Sequence, residues 1–369
     1  MKTLIKRPIC YSLRLFDLLL KLIHQSSTPQ IPQKLLLCNG AHLGDVILTT
    51  SLLPLLKKSY PEVKIGMVVG SWSSCIAKIH PDIDWVHEVD HWKLNRSSLS
   101  FSKKIFRYFF TKKNALSEIR NIGYDTAIDC YFHNPNMAHL LWKVKIPTRI
   151  GFASCFFAPL HTHTRPWSPS DNIPAPHSIT SLLTFLPGMI EELPSYSSQT
   201  TKREKSIVIH VGTANQRRLW PTVKWKALVK RLIEDGDKLI LVGKGPREKK
   251  IVEEIVHDYP EVQNLVDKLS WEEFQALISK SQLLIGIESM AGHVAASVGT
   301  PAVLLYTGSN PNRIWSPLSN VPQRILTHST PCSPCFSSCP TMPCIRNISV
   351  DEVHQAIREL KQEIMKTPK

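Results

Sequence analysis

Gly40-Ala41-His42-Leu43-Gly44-Asp45 decides the fold reading of this chain: it lies between the apolar run Lys34 to Leu37 and a helix-forming stretch from Val46 to Ser59. A glycine-bearing turn out of a buried strand and into a helix aims free backbone N–H groups, and the positive end of the helix dipole, at whatever lies above it. Such a turn suits an anion. A second turn of this kind, Glu288-Ser289-Met290-Ala291-Gly292-His293, follows the apolar run Leu283 to Ile287. One turn alone is a weak signal. Two, each in its own series of alternating strands and helices and with a carboxylate on the first, predict a phosphorylated ligand meeting a general base.

Working outward, short apolar runs bounded by turn residues read as buried strands. They are Lys34 to Leu37, Val63 to Val69, Trp85 to Val89, Asp125 to Asp129 and Thr148 to Phe152, with helical stretches such as Val46 to Ser59 and Lys103 to Arg120 between them. A second series, Ser206 to Val211, Lys238 to Val242, Asn264 to Val266, Leu283 to Ile287 and Ala302 to Tyr306, repeats the architecture without repeating the sequence. The expected organisation is an N-terminal extension over 1–33, a Rossmann-like domain over 34–187 and a polar linker over 188–205. A second Rossmann-like domain over 206–349 and a C-terminal helix and tail over 350–369 complete it. Two doubly wound α/β domains of this type place ligands at the carboxyl ends of their strands, so a cleft between the domains is the expected site.

A length of 369 residues favours two domains, and 43% hydrophobic with 20% charged residues excludes a disordered chain. The formal charge of +15 calls for an acidic partner, which nucleic acid, an anionic membrane or a phosphorylated substrate would satisfy. No DNA- or RNA-binding module is found, and nucleic acid is not expected. After Pro8, Arg14, Asp17, Lys21 and His24 form one polar stripe on an otherwise leucine-rich helix, suited to a membrane interface or to docking on the protein's own surface. Asp17 interrupts that stretch and no small-residue cleavage site follows it, which argues against a signal peptide. A cytoplasmic protein, peripheral to a membrane, is the expectation.

Several further motifs carry a family resemblance. The run Leu43-Gly44-Asp45-Val46-Ile47-Leu48-Thr49-Thr50 with Pro54 and Tyr60-Pro61 resembles the opening of glycosyltransferase family 9, the bacterial lipopolysaccharide heptosyltransferases. So do Arg218-Leu219-Trp220-Pro221, Val242-Gly243-Lys244-Gly245 with Glu248, and Glu288-Ser289 with His293-Val294-Ala295-Ala296 and Gly299-Thr300-Pro301. The likeness runs from about Lys34 to the C-terminal helix. It implies a GT-B fold, a nucleotide diphosphate sugar donor such as ADP-heptose, a lipopolysaccharide core-type acceptor at the inner face of the inner membrane of a Gram-negative bacterium, and an inverting transfer that needs no metal or other cofactor.

Inversion requires a base for the acceptor hydroxyl and stabilisation of the departing diphosphate. Asp45, on the loop that carries Gly40, His42 and Gly44, matches the family's proposed base; the plainer alternative is that it caps the following helix. Arg218 stands where the family commonly has a phosphate-contacting Lys, keeping the charge but altering its geometry. Thr213 adds a hydroxyl, and Glu248 a carboxylate for the nucleotide ribose. The second turn departs from the usual Asp-Ser-Gly: Glu288, Ser289 and Met290 stand there instead, with Gly292 two positions later. The N–H groups of Ser289, Met290 and Ala291 are expected to face the diphosphate, with His293 on the first helical turn. This departure leaves the donor sugar open. A sugar-nucleotide epimerase or hydrolase, and a non-catalytic adaptor binding anionic lipid, are the alternatives from other classes.

Between His91 and Ser117 lie Lys93, Arg96, Lys103, Lys104, Arg107, Lys112 and Lys113 with no acid, interleaved with six aromatic side chains. Such a stretch suits an anionic lipid surface or a phosphorylated acceptor, or is simply a solvated helix face. Finally, Cys332, Cys335, Cys339 and Cys344 cluster among four prolines. They are expected to be structural, as a zinc site or as free thiols.

Overall fold

In a computed structural model the described residues are 28–153, 156–196, 203–308, 312–328, 330–333, 339 and 341–366, together with Leu20. The polar stripe Arg14, Asp17, Lys21 and His24 lies outside them. The chain divides into two compact units, Met1–Pro194 and Ser195–Lys369.

The first unit is built on a six-stranded sheet of β1 (Lys34–Asn39), β2 (Lys64–Val69), β3 (Trp85–Glu88), β4 (Thr126–Asp129), β5 (Thr148–Phe152) and β6 (His163–Arg165), in the order 3-2-1-4-5-6. All its pairings are parallel, with Leu36 facing Gly66 on one side and Ala127 on the other. Parallel strands covered by helices on both faces lose the apolar–polar alternation, which is why Leu35, Leu36, Leu37 and Cys38 run together and are all buried.

The second unit repeats the plan with β7 (Ser206–His210), β8 (Lys238–Val242), β9 (Gln263–Asn264), β10 (Leu283–Ile287), β11 (Ala302–Leu305) and β12 (Gln323–Leu326), ordered 12-11-10-7-8-9 and again all parallel. Renumbered from its own first strand, this is the same order as the first sheet. Its core centres on Trp220 and Trp225, edge to face at 4.8 Å, with the Trp220 indole donating to the Ile348 carbonyl at 3.0 Å. The C-terminal helix Val350–Lys366 closes this core with Val353, Ala356, Ile357 and Leu360, the i, i+3, i+4, i+7 stripe of an amphipathic helix.

Three local features differ from the expected elements. The stretch Val46 to Ser59 is two helices, α1 (Leu43–Thr50) and α2 (Leu53–Ser59), because Pro54 sits in the first turn of α2, where its missing N–H costs nothing, and could not have sat in a continuous helix. The edge strands β6 and β12 were not expected: both are short, polar and only partly buried, so neither has an apolar run to announce it. The segment expected as linker begins anchored to the first unit, where Ile190 donates to the Ser59 hydroxyl at 3.1 Å and Lys58 pairs with Glu192.

Among the described residues no helix is long and apolar enough to cross a membrane.

Candidate functional site

In each sheet the chain reverses its winding between the first and fourth strands, the place beyond whose carboxyl ends open α/β sheets bind their ligands. The two glycine-bearing turns lead out of those strands. In the first unit β1 hands over to the turn 40–42. Asn39, buried at the strand end, fixes that turn: its side chain donates to the Asp45 carbonyl at 3.1 Å and to the Thr49 hydroxyl at 2.8 Å, and accepts from the Ala41 N–H at 3.2 Å. The Trp72 indole holds the Ala41 carbonyl at 2.6 Å. Gly40 packs close to Met137, whose terminal methyl would have to move from a Cβ placed there at 2.6 Å.

On the first turn of α1 the Asp45 carboxylate accepts the His42 N–H at 3.2 Å. It therefore does cap the helix, but its environment suits a second role. Burial, partly offset by the His42 N–H and the positive charge of Arg96, pushes its carboxyl up to about 6. A carboxylate with that affinity is mostly ionised at neutral pH yet holds a proton far better than an ordinary Asp. Burial and the same Arg96 push His42 down to about 4, so it is a neutral imidazole. Gly44 lies half-buried within the first turn of α1.

In the second unit one residue ties three strand ends together. Glu288, directly after β10, pairs with Arg218 at 3.0 Å and accepts the Thr307 hydroxyl at 2.8 Å, while the Thr213 hydroxyl donates to its backbone carbonyl at 3.3 Å. Arg218 stands at the end of a short turn that Asn215 caps, and its buried Nε has no partner among the described residues. The pairing with Glu288 uses only part of the guanidinium fork.

Ser289 is the N-cap of the helix α10 (Met290–Ser297), and its hydroxyl lies 3.3 Å from Nδ1 of His210, the last residue of β7. His210, which the sequence reading did not single out, is buried, and that burial lowers its pKa. Its Nε2 lies 3.7 Å from Glu248, whose carboxylate accepts the Lys244 N–H at 2.9 Å. That carboxylate fills space left by Gly212 and Gly243: a Cβ at either would approach it to 1.9 or 2.5 Å. His293 is buried, pushed down to about 4 by burial, and its Nδ1 has no partner among the described residues. Met290 is half-buried and Ala291 fully buried. Gly292 lets α10 lie close to β11, where a Cβ would meet Leu304 at 2.9 Å, so the structure gives it a packing duty.

The seven cations of the basic stretch separate into groups. Arg107 pairs with the buried Asp90 and donates to the Ser71 hydroxyl at 3.0 Å, Lys104 donates to the Asn95 carbonyl at 2.8 Å, and Lys112 reaches the Tyr108 hydroxyl at 3.0 Å. Lys93, Arg96, Lys103 and Lys113 are exposed, and the first two stand in the loop whose charge acts on His133 and on Asp45. Of the cysteine cluster, Cys335 lies outside the described residues. Cys332 is exposed, Cys344 is buried in the core, and Cys339 accepts the Met342 N–H at 3.3 Å. No cluster of three potential metal ligands occurs among the described residues.

Residues 184–345 match the sequence profile of glycosyltransferase family 9 (heptosyltransferase), and lipopolysaccharide heptosyltransferase 3 of Escherichia coli is 26% identical over 304 residues, covering 75% of this chain and 84% of that protein. Over that span the chain is similar to glycosyltransferase family 9. A lipopolysaccharide heptosyltransferase 1 of Escherichia coli is 19% identical over 307 residues, 76% of this chain and 88% of that protein. Among solved structures, a family 9 glycosyltransferase from Veillonella parvula superimposes with a TM-score of 0.72 at 20% identity, covering 92% of this chain and 99% of that one. The E. coli ADP-heptose lipopolysaccharide heptosyltransferase II gives 0.70 at 18%, covering 90% and 99%. At those identities the likeness speaks for the fold, which is GT-B. The chain is a glycosyltransferase, and the resemblance to family 9 drawn from its motifs holds.

Proposed function

We propose that this glycosyltransferase moves a heptose from ADP-heptose to a lipopolysaccharide core-type acceptor, with inversion at the anomeric carbon and without a metal, and that it does so at the inner face of the inner membrane. The relatedness to lipopolysaccharide heptosyltransferase 3 over three quarters of the chain carries this reading. In it, Asp45 takes the proton from the acceptor hydroxyl as the new glycosidic bond forms and the bond from the anomeric carbon to the diphosphate oxygen breaks. Its raised proton affinity serves that step. On the donor side, the unpaired part of Arg218 and the N–H groups of Ser289, Met290 and Ala291 receive the diphosphate, where a helix end and a guanidinium stabilise the charge that develops on the leaving oxygen. His293, neutral at physiological pH, contributes a hydrogen bond and no charge. Glu248, accepting from the Lys244 N–H beneath the glycine loops, offers its second oxygen to the ribose hydroxyls. Glu288 sets the orientation of Arg218.

The test is direct. Purified protein with ADP-heptose and a deacylated core acceptor should release ADP and extend the acceptor by one heptose. ADP release without an acceptor would point to a hydrolase, and folded protein that releases no nucleotide diphosphate from any nucleotide sugar would overturn the reading.

A further inference from the structure

The helix α4 (Phe101–Ile122) is only half employed by the fold. The Ser100 hydroxyl caps its start at 3.5 Å, and Gly123, at a φ of 70°, ends it in the left-handed conformation. Its buried residues, Ala115, Leu116 and Ile119, all lie in the last two turns. Upstream of them Phe101, Phe106, Phe109 and Phe110 are 69%, 74%, 61% and 58% exposed. Four phenylalanines opening to water between 101 and 110 concentrate exposed apolar surface on one short stretch, whereas most other exposed large apolar side chains, such as Leu193, Val223 and Met365, stand singly in the sequence. Large apolar side chains in a contiguous exposed group mark a contact surface.

The charge around them identifies what that surface meets. Phe106 and Phe110, one turn apart, stand on the helix face opposite Ile119, and the exposed Lys103 and Lys113 flank them on the same face. Of the acids nearby, Glu88 pairs with Lys78 at 2.8 Å and the buried Asp90 with Arg107, while Glu118 hydrogen-bonds the buried His87 ring at 2.7 Å, so the lysines and arginines of the stretch outnumber the one acid left charged. Aromatic rings that enter the acyl boundary, with lysines on flexible stems at headgroup level, form the pattern of an interfacial helix on an anionic bilayer.

We propose that the N-terminal half of α4 docks this protein on an anionic lipid bilayer, with Phe106 and Phe110 inserted and Lys103 and Lys113 on the headgroups. This rests on the lipid-borne acceptor of the function proposed above, but its test does not. Full-length protein should co-sediment with vesicles of phosphatidylethanolamine and phosphatidylglycerol, and should do so poorly with phosphatidylcholine vesicles. Phe106→Glu/Phe110→Glu should lower the partition roughly tenfold or more, and Lys103→Glu/Lys113→Glu should lower it and abolish its salt dependence. Unchanged melting temperature and ADP affinity in these variants establish that they fold. If activity is present, the phenylalanine double variant should retain its rate on a water-soluble deacylated acceptor and lose it on the same glycan anchored in vesicles. Wild-type binding that ignores lipid charge, or variants that bind vesicles as the wild type does, overturn the proposal. Absence of heptose transfer with vesicle binding intact would instead count against the proposed function alone.

Discussion

Replacing Asp45 by Asn should slow this enzyme and stabilise it at the same time. The amide oxygen can still accept the His42 N–H, so the shape of the turn survives while the proposed proton acceptor is lost. A positioned general base is worth about 10² to 10⁴ in rate. We therefore expect kcat/KM to fall by about a thousandfold, with donor affinity unchanged. The stability effect comes from the same burial that raises the carboxyl from 3.8 to about 6. Because the folded state binds the proton more tightly than the unfolded chain, ionised Asp45 weakens the fold. That penalty is fully present above about pH 6 and is absent below about pH 4. The shift corresponds to about 3 kcal/mol in full, and about 1–2 kcal/mol for a side chain that keeps some contact with water. Thermal melts at pH 7.5 should show the first unit of the variant melting about 2–6 °C higher. The gain should shrink as the pH falls from 6 to 4, and wild-type kcat/KM should decline on the acid side with an inflection near pH 6. Full turnover in the variant, or a melting difference that does not depend on pH, would refute the reasoning.

Other expectations follow from the second unit. Arg218→Ala removes the proposed phosphate partner and strands the Glu288 carboxylate, which is only 10% exposed, without its cation. The KM for the nucleotide sugar should rise at least about tenfold, and stability should fall by about 1–3 kcal/mol in chemical denaturation. Glu288→Asp shortens the reach to Arg218 and the Thr307 hydroxyl, so titration calorimetry with ADP should show affinity reduced severalfold, with the fold intact. Gly212→Ala drives a methyl group into the Glu248 carboxylate and should cost about 1–3 kcal/mol or displace that side chain, read as weakened ADP binding. Dialysis against a chelator should leave the transfer rate unchanged, and a loss restored by added divalent metal would contradict the metal-independent mechanism.

The doubly wound plan was legible because each central strand is a continuous apolar run ended by a turn, as in Leu283 to Ile287, and the two helix-opening turns could be placed on it. The edge strands β6 and β12 were not legible, because short, partly buried segments such as Gln323–Leu326 pair through their backbone without a buried apolar run to show. Within the site, Asp45, Arg218 and Glu288 could be named from the sequence, but the bond between the last two could not, since it joins residues 70 positions apart. His210 was missed because a histidine ending an apolar strand reads as an ordinary boundary residue. Its contact with Ser289 exists only through the pairing of β7 with β10. Gly292 read as part of a ligand loop, whereas packing against Leu304 is a demand that only the folded sheet can reveal.

The way Glu248 lies beneath its two glycines also bears on how this pocket can change over evolutionary time. Its carboxylate occupies volume that Gly212 and Gly243, on the turns after neighbouring strands β7 and β8, leave vacant. A larger residue at either position conflicts with it, while shortening Glu248 leaves a polar hollow under both turns. If the proposed ribose role of Glu248 holds, routes to a different nucleotide preference pass through concerted exchanges at Gly212, Gly243 and Glu248 together, and single-site libraries at any of them should yield mostly inactive protein.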